Sequence, residues 1–166
     1  MAQRTTTRNP EQLAQKASTI DEESAWLFVL RSLSARSQSQ VEIERKLAAK
    51  GASVAVIESA IERAAGYGYV DDASLAGQLA RGMLSRGYGR RRAEQKLRER
   101  GLPVEIASGA LGEAYGERDE LELARAALGR RSITDDADRR RAVAFLARRG
   151  FSAGTAWRAV REASPD

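Results

Sequence analysis

The chain repeats itself about every 50 residues, and this repeat restricts the possible folds more than any other feature of the sequence. Three glycines, Gly51, Gly101 and Gly150, mark equivalent points. A leucine lies four residues before each glycine, a basic residue directly before it, and an alanine followed by an aliphatic residue nine and ten residues after it. These positions are Leu47, Leu97 and Leu146; Lys50, Arg100 and Arg149; and Ala60-Ile61, Ala110-Leu111 and Ala159-Val160. A period of this length predicts a tandem array of small structural units.

Within each unit the apolar residues have helical spacing, and no stretch alternates like a strand. In the first repeat they are Ala25, Val29, Leu33, Ile43, Leu47, Ile57 and Ile61. This spacing predicts helices over residues 24–36, 39–50 and 53–65. Gly51 follows the second helix, where a glycine can adopt the left-handed conformation that ends many helices. We therefore expect an all-α fold of three tandem three-helix repeats, elongated and curved.

The repeat also predicts how the chain is divided. A polar segment with weak apolar periodicity opens the sequence, and we expect a flexible arm there. The expected segments are the arm at 1–22, repeat 1 at 23–71, repeat 2 at 72–118 and repeat 3 at 119–166. Asp72 and Ser74 are candidate N-caps for the first helix of repeat 2, because their short polar side chains can accept hydrogen bonds from helix amides.

Composition excludes several classes of function. The sequence has no Cys and no His, so disulfides, Cys/His zinc sites and Ser–His–Asp catalysis are excluded. The acidic pairs Asp71-Asp72 and Asp135-Asp136 could bind a divalent cation, but each precedes a helical stretch, which favours capping. The longest apolar run, Ala25 to Leu30, is too short to span a membrane. We expect a cytoplasmic protein that is not an enzyme and uses no cofactor and no metal.

The most unusual charge feature is the arginine triplet Arg90, Arg91 and Arg92 at the start of a predicted helix. A helix N-terminus carries partial positive charge, so stability alone would favour acidic residues there. Repeat 3 has Arg139, Arg140 and Arg141 at the same positions, whereas repeat 1 has Gln40, Val41 and Glu42. Residues 74–118 contain nine basic and five acidic side chains, while residues 25–73 contain six of each. The positive charge therefore belongs to repeats 2 and 3.

On a helical wheel, Ala93 and Leu97 face inward, and Arg91, Gln95 and Arg98 face outward. Two triplets at the same repeat position favour an anionic partner, either nucleic-acid phosphate or an acidic protein surface. The alternative is a solvated charged face in an arginine-rich protein.

The aromatic residues give weaker indications. Gly66-Tyr67-Gly68-Tyr69 and Gly87-Tyr88-Gly89 lack the sequence of a phosphate-binding loop and are typical of turns between helices. Their tyrosines could stack on nucleobases, although packing between helices is the favoured interpretation. Trp26 and Trp157 lie in predicted helices and are expected in the core.

Three segments, in this order and spacing, resemble motifs of the RecX family over residues 25–163. They are Gly68-Tyr69-Val70-Asp71-Asp72 followed by Ala76; Arg86, Gly87 and Gly89 followed by Leu97 and Arg100-Gly101-Leu102-Pro103; and Leu146-Ala147-Arg148-Arg149-Gly150-Phe151-Ser152. The resemblance implies tandem three-helix repeats and a regulator without catalytic activity. It also implies binding to the RecA filament on single-stranded DNA, inhibition of the ATPase, strand-exchange and co-protease activities of RecA, and weak direct binding to single- and double-stranded DNA.

The arginines and this resemblance together predict a contact surface for the filament or nucleic acid. Its expected residues are Arg81, Arg86, Arg90, Arg91, Arg92, Lys96, Arg98, Arg139, Arg140, Arg141, Arg148 and Arg149. Two other functions stay open: an independent DNA-binding protein of the repressor or architectural type, and an adaptor for an acidic protein. We expect a monomer, which the non-identical repeats permit, and no membrane partner.

Overall fold

The computed structural model of the chain describes residues 19–164, and nine α-helices account for the regular structure in this range. They are α1 (Glu22–Ala35), α2 (Gln40–Ala49), α3 (Val54–Gly66), α4 (Asp72–Ser85), α5 (Arg90–Glu99), α6 (Val104–Tyr115), α7 (Glu120–Leu128), α8 (Asp136–Arg148) and α9 (Ala153–Ala163). The all-α prediction is confirmed. The three helices predicted for the first repeat begin and end within two residues of α1, α2 and α3.

The helices form three consecutive sets of three, as a helical repeat fold requires. In each set the first and third helices pack against each other, and each set encloses its own apolar core. The three equivalent leucines, Leu47, Leu97 and Leu146, are fully buried, one in each core. Burial of a leucine contributes roughly 1.5–3 kcal/mol, which helps to stabilise helices that are too short to form alone.

The repeated glycines end helices as the sequence predicts. Gly51, Gly101 and Gly150 have φ angles of +81°, +71° and +89°, which lie in the left-handed region. After Gly150, the N–H of Phe151 donates to the carbonyl of Leu146 over 3.2 Å, and Gly150 itself donates to Ala147 over 3.0 Å. These two bonds form a Schellman motif, and the same pair of bonds follows Gly51 and Gly101.

Most of the helices begin with a side-chain cap. The capping residues are Asp21, Ser39, Ser53, Asp71, Asp119, Asp135 and Ser152. Both predicted caps for the start of repeat 2 were wrong, Asp72 by one residue and Ser74 by three. Asp71 is the cap, and it accepts a 2.9 Å bond from the amide of Ser74. Asp72 is the first helical residue, so it does not have the extended backbone of a cap.

The chain divides into two compact units, the first ending at Val70 and the second beginning at Asp71. Repeats 2 and 3 belong to the second unit, where Leu123 of α7 packs against both of their cores. Residues 1–18 of the predicted arm lie outside the described residues. Thr19 belongs to the first unit, because its hydroxyl donates to the carbonyl of Lys50 over 2.7 Å.

The two tryptophans differ in environment. Trp26 is only 7% exposed and belongs to the first core, as predicted. Trp157 is 52% exposed, so its predicted burial was wrong. The core face of α9 is formed by Ala156, Ala159 and Val160, and residue 157 lies about 100° away from Ala156 around the helix. No helix within residues 19–164 is both long enough and apolar enough to cross a bilayer.

Candidate nucleic-acid interface

The arginine triplet of repeat 2 forms the first turn of α5. Arg90 is the first helical residue, and Gly89 occupies the N-cap position without a side chain that could accept a bond. The first turn contains no acidic residue. Three guanidinium groups therefore add to the positive end of the helix dipole, which is unfavourable unless another part of the molecule compensates.

The C-terminal end of α8 lies directly against this N-terminus. The N–H of Gly89 donates to the carbonyl of Arg149 over 2.8 Å. A Cβ on Gly89 would lie 2.7 Å from the carbonyl oxygen of Gly150, and a Cβ on Gly150 would lie 2.5 Å from the amide nitrogen of Arg92. Only glycines permit so close an approach. It brings the negative end of the α8 dipole to the positive end of α5 and offsets part of the repulsion.

The three arginines of α5 have different local partners. Arg90 donates through Nη1 to the carbonyl oxygen of Leu111 over 3.3 Å. Arg92 donates to Oε1 of Gln95 over 2.6 Å and lies 3.9 Å from Glu99. Arg91 is exposed and makes no ion pair within residues 19–164. Its guanidinium is the group of the triplet most available to an external anion.

The positive charge of Arg91 affects the pKa of one acidic residue, Glu120, at the start of α7. Burial raises the pKa of Glu120, but hydrogen bonds from Thr155 and Ser152 and the positive charge of Arg91 lower it, and the net shift is downward. The carboxylate accepts bonds from Oγ1 of Thr155 over 2.6 Å and from the amide of Ser152 over 3.0 Å. Because Glu120 is bound to the start of α9, its charge offsets Arg91 only partly.

The matching arginines of repeat 3 lie in a different environment. Helix α8 begins at Asp136, so Arg139, Arg140 and Arg141 lie in its second turn and not at its N-terminus. Arg139 pairs with Asp136 over 2.8 Å, and Arg141 pairs with Asp138 over 2.5 Å.

Asp138 is held in its charged form by these neighbours. The hydrogen bond from Arg141 and those from Thr134 lower the pKa of Asp138 to about 2. Arg140 is exposed and has no ion pair in the part of the chain that the structure describes. Two of the three arginines in this triplet are therefore neutralised locally.

The other predicted contact residues fall into two groups. Lys96 and Arg98 form exposed pairs with Glu99 and Glu94 over 3.8 and 3.1 Å, which contribute little to stability. Arg81, Arg86 and Arg148 are also exposed.

The side chain of Arg149 makes several contacts within the protein. Its guanidinium lies 4.9 Å from the ring centre of Tyr88 and 4.7 Å from that of Phe145. It also donates to the carbonyl oxygens of Gly87, over 3.1 Å, and of Arg86. Arg149 thereby connects α8 to the turn before α5.

Beside the triplet, α5 and α6 enclose a cavity of about 220 Å³. Arg90, Glu94 and Arg98, which lie one above another on α5, form its polar wall. Leu102, Val104, Ala107, Ser108 and Leu111 line the rest of it. The cavity combines guanidinium groups with an apolar floor, a combination that suits an acidic ligand with some apolar surface. Among residues 19–164, no group of three or more acidic side chains could hold a metal ion.

Counting charges by segment did not reveal a basic cavity in the first unit. It measures about 550 Å³ and is lined by Phe28, Arg31, Ser32, Ala35, Arg36, Lys46 and Lys50. Lys50 lies 4.7 Å from the ring centre of Phe28, and Arg36 pairs with Glu42 over 3.0 Å. Arg31 and Lys46 lie in α1 and α2, and Arg36 and Lys50 directly follow these helices, so four cations line one cavity although residues 25–73 carry no net charge. The four-residue spacing of Lys46 and Lys50 was a helical signal in the sequence, whereas the five-residue spacing of Arg31 and Arg36 was not.

The tyrosines near the turns are only partly packed between helices. Tyr88 is partly buried, and its carbonyl accepts a 3.0 Å bond from the hydroxyl of the buried Tyr115. Burial raises the pKa of Tyr115 to about 12. Tyr67 and Tyr69 are 61% and 53% exposed, so the preference for packing between helices was wrong for these two.

The sequence matches two domain models of one protein family. The description "RecX, first three-helix domain" matches residues 25–63, and "RecX, second three-helix domain" matches residues 71–111. A protein of Xanthomonas campestris pv. campestris (strain B100) named "Regulatory protein RecX" is 36% identical over 128 residues, which cover 76% of this chain and 79% of that protein. Its namesake from Mycobacterium sp. (strain KMS) is 35% identical over 140 residues, covering 79% and 76%.

Solved structures show the same fold. The crystal structure of RecX from Lactobacillus salivarius superposes with a TM-score of 0.65 at 19% identity, covering 86% of this chain and 96% of that one. A second structure, described as regulatory protein RecX, gives a TM-score of 0.67 over 96% of this chain and 82% of the other. At such low identity these similarities support only the helical repeat fold and no statement about function.

Proposed function

The chain belongs to the RecX family, and on this premise we propose that it is a non-enzymatic regulator that binds the RecA filament on single-stranded DNA. Its expected effect is inhibition of the ATPase, strand-exchange and co-protease activities of RecA, and hence control of recombination, DNA repair and the SOS response in the cytoplasm. The observation that carries the proposal is the start of α5, where Arg91 is exposed on a helix end that has no acidic residue in its first turn.

In the proposed complex, α5 supplies the main basic surface that contacts anionic groups of the filament. Arg91 and its neighbours Arg90 and Arg98 bind DNA phosphate or acidic side chains of RecA, and Arg140 of α8 adds a second contact from the same compact unit. A protein attached to several adjacent filament subunits resists the rearrangements between subunits that accompany ATP turnover. Inhibition of the ATPase needs no catalytic group of its own in this mechanism.

The test is ATP hydrolysis by the host RecA on single-stranded DNA, titrated with the full chain. The variant Arg90→Ala/Arg91→Ala/Arg92→Ala should raise the half-inhibiting concentration about tenfold or more, since the proposed contacts of Arg90 and Arg91 are lost. The control Arg118→Ala/Arg130→Ala/Arg161→Ala removes the same charge from exposed positions outside the predicted surface. We expect it to inhibit like the parent, and circular dichroism establishes that both variants fold.

The titration also separates the alternatives. Inhibition well below one molecule per RecA indicates that filament ends are capped, whereas inhibition only near equimolar amounts indicates that the filament is coated. Absence of inhibition at any ratio, together with tight, salt-dependent and sequence-selective binding to free DNA, would replace the proposal by an independent DNA-binding protein.

A further inference from the structure

Three aromatic rings lie together at the end of α3 in the first unit. The ring of Tyr67 is centred 5.8 Å from that of Trp26 and 5.5 Å from that of Tyr69. The rings of Trp26 and Tyr69 are 6.3 Å apart with an interplanar angle of 20°. Trp26 is buried beneath the two tyrosines, which expose more than half of their surface. These three residues form an aromatic platform on the surface of the protein.

The backbone beneath this platform has a fixed conformation. Gly68 has a φ angle of +70° and donates to the carbonyl of Ala65 over 2.8 Å. Tyr69 donates to the carbonyl of Ala64 over 2.9 Å. These bonds form a Schellman motif, which fixes the backbone that carries Tyr67 and Tyr69 before any ligand arrives. Binding would therefore cost little backbone conformational entropy.

The fold does not account for the exposure of Tyr69. In the equivalent position of two other Schellman motifs, Leu102 and Phe151 are only 6% and 4% exposed because they belong to the apolar cores of their repeats. Tyr69 is 53% exposed at that position. The next residue, Val70, supplies the buried apolar side chain of this turn with 4% exposure. Tyr69 is therefore not needed to fill this turn, and the exposed part of its ring is available to a ligand.

The charge beside the platform favours an anionic ligand over a cationic one. The guanidinium of Arg63 lies 4.2 Å from the ring centre of Trp26 and 3.7 Å from Glu23. This cation already occupies the face of Trp26 and repels an incoming arginine or lysine of a partner protein. A nucleotide instead offers an apolar ring for the tyrosines and a phosphate that can replace Glu23 as the partner of Arg63, because their long, exposed ion pair is weak.

We propose that Tyr67 and Tyr69, supported by Trp26, bind an unpaired nucleobase by stacking, while Arg63 binds the neighbouring phosphate. The aromatic platform is then a binding site for single-stranded nucleic acid in the repeat that lacks an arginine triplet. Duplex nucleic acid conceals its base faces, so the site discriminates against it, whereas contacts to phosphate alone do not. The inference deepens the proposed function and rests on it only for the source of the single strand.

The experiment uses Trp26 as its reporter and requires no RecA. In the full chain with Trp157→Phe, Trp26 is the one remaining tryptophan, because the sequence has two. A short oligothymidylate should quench its fluorescence and bind more tightly than an abasic oligomer with the same number of phosphates. Base stacking contributes about 1–3 kcal/mol per base, a roughly 5- to 150-fold difference in affinity.

Variants then assign the effect to the tyrosines. Tyr67→Leu/Tyr69→Leu keeps apolar side chains over Trp26 but removes the aromatic faces, and it should bind both oligomers with the weaker affinity of the abasic one. Tyr67→Phe/Tyr69→Phe should retain the preference for bases. A matched control, Leu27→Ala/Val54→Ala, changes two other exposed apolar residues of the same unit and should bind like the parent.

Two results would overturn the inference: equal affinity of the parent for both oligomers, or an unchanged preference in the leucine variant. A leucine variant that loses inhibition of RecA but binds oligothymidylate normally would assign the platform to a protein contact and refute the nucleobase site. If the oligomer titration succeeds while RecA is not inhibited, the nucleobase site stands and the proposed regulatory function fails.

Discussion

Helices α5 and α8 carry the same three arginines at equivalent repeat positions but expose their charge differently. In α8 an additional first turn supplies Asp136 and Asp138, and these carboxylates pair with two of the three guanidinium groups. In α5 the arginines themselves form the first turn, and the compensation comes from the C-terminal end of α8 and partly from Glu120. A repeated motif therefore does not imply a repeated binding site.

The comparison also separates two ways of tolerating positive charge. Carboxylate partners next to the arginines remove the charge that a ligand would bind. A helix end that offers no carboxylate stabilises the same arginines through its dipole and leaves their side chains accessible. We expect the second arrangement wherever the arginines of such a repeat contact an external anion.

The largest effect is expected when the two triplets are removed separately. Arg90→Ala/Arg91→Ala/Arg92→Ala should weaken binding to single-stranded DNA about 10- to 100-fold near 0.1 M salt and reduce the slope of log affinity against log salt by about 1.4, since Arg90 and Arg91 contribute about 0.7 each and Arg92 already has partners within the helix. The α8 variant Arg139→Ala/Arg140→Ala/Arg141→Ala should reduce the slope by about 0.7, because mainly Arg140 is unpaired. Fluorescence anisotropy across a salt series measures both slopes.

Equal losses of affinity in the two variants would contradict this comparison, because they would mean that the aspartates of α8 do not reduce the availability of its arginines. The variant Asp136→Asn/Asp138→Asn gives a complementary check. It should strengthen DNA binding by releasing Arg139 and Arg141 from their partners.

The next effect concerns the contact between the two helix ends. Gly150→Ala should lower the free energy of unfolding by about 3 kcal/mol or more, because a positive φ is combined with a backbone clash. Gly89 has a φ of −73°, so Gly89→Ala tests the clash alone and should cost about 1–3 kcal/mol. Gly129 has a φ of +58° and no atom within 4 Å of an added Cβ, so Gly129→Ala should cost about 1–2 kcal/mol. Urea denaturation measures all three, and a neutral Gly89→Ala would show that the helix ends do not touch.

The smallest effect is a pH dependence confined to α8. The pKa of Asp138 falls from 3.8 to about 2 in the folded protein, so its charged form stabilises the fold above about pH 4. This contribution should disappear as the pH falls from about 4 towards 2, and Asp138→Asn should lack it. The measurement is the difference in thermal unfolding midpoint between parent and variant at each pH, in low salt. Parallel midpoints from pH 5 to pH 2 would show that Asp138 makes no ion pair that stabilises the fold.

The fold was predictable because its determinants are local. Apolar spacing located α1, α2 and α3, and the repeated glycines located the left-handed ends after α2, α5 and α8. Each of these depends on residues within a few positions along the chain. The start of α5 at Arg90 was predictable for the same reason.

The candidate site was less predictable because its properties depend on distant residues. The sequence indicates a turn at Gly89, but it does not show that this turn touches Gly150. Counts of charge by segment could not show that the Glu120 carboxylate accepts hydrogen bonds from Ser152 and Thr155. Nor could they show that four cations line one cavity in a segment with no net charge. The exposures of Tyr69 and Trp157 likewise depend on neighbouring residues, because Val70 fills the core beside Tyr69, and Ala156 and Val160 fill it beside Trp157.

The contact between Gly89 and Gly150 gives the array a fixed order of neighbours. A chain that ended after repeat 2 would retain every arginine of α5 but lose the carbonyl that accepts from Gly89 and the dipole that opposes the triplet. An added copy of repeat 2 would lack a partner for the same reason. The array cannot be shortened or extended by whole repeats without changing its basic surface, and each of the two glycines is required separately, because either added Cβ would clash with backbone atoms of the facing segment.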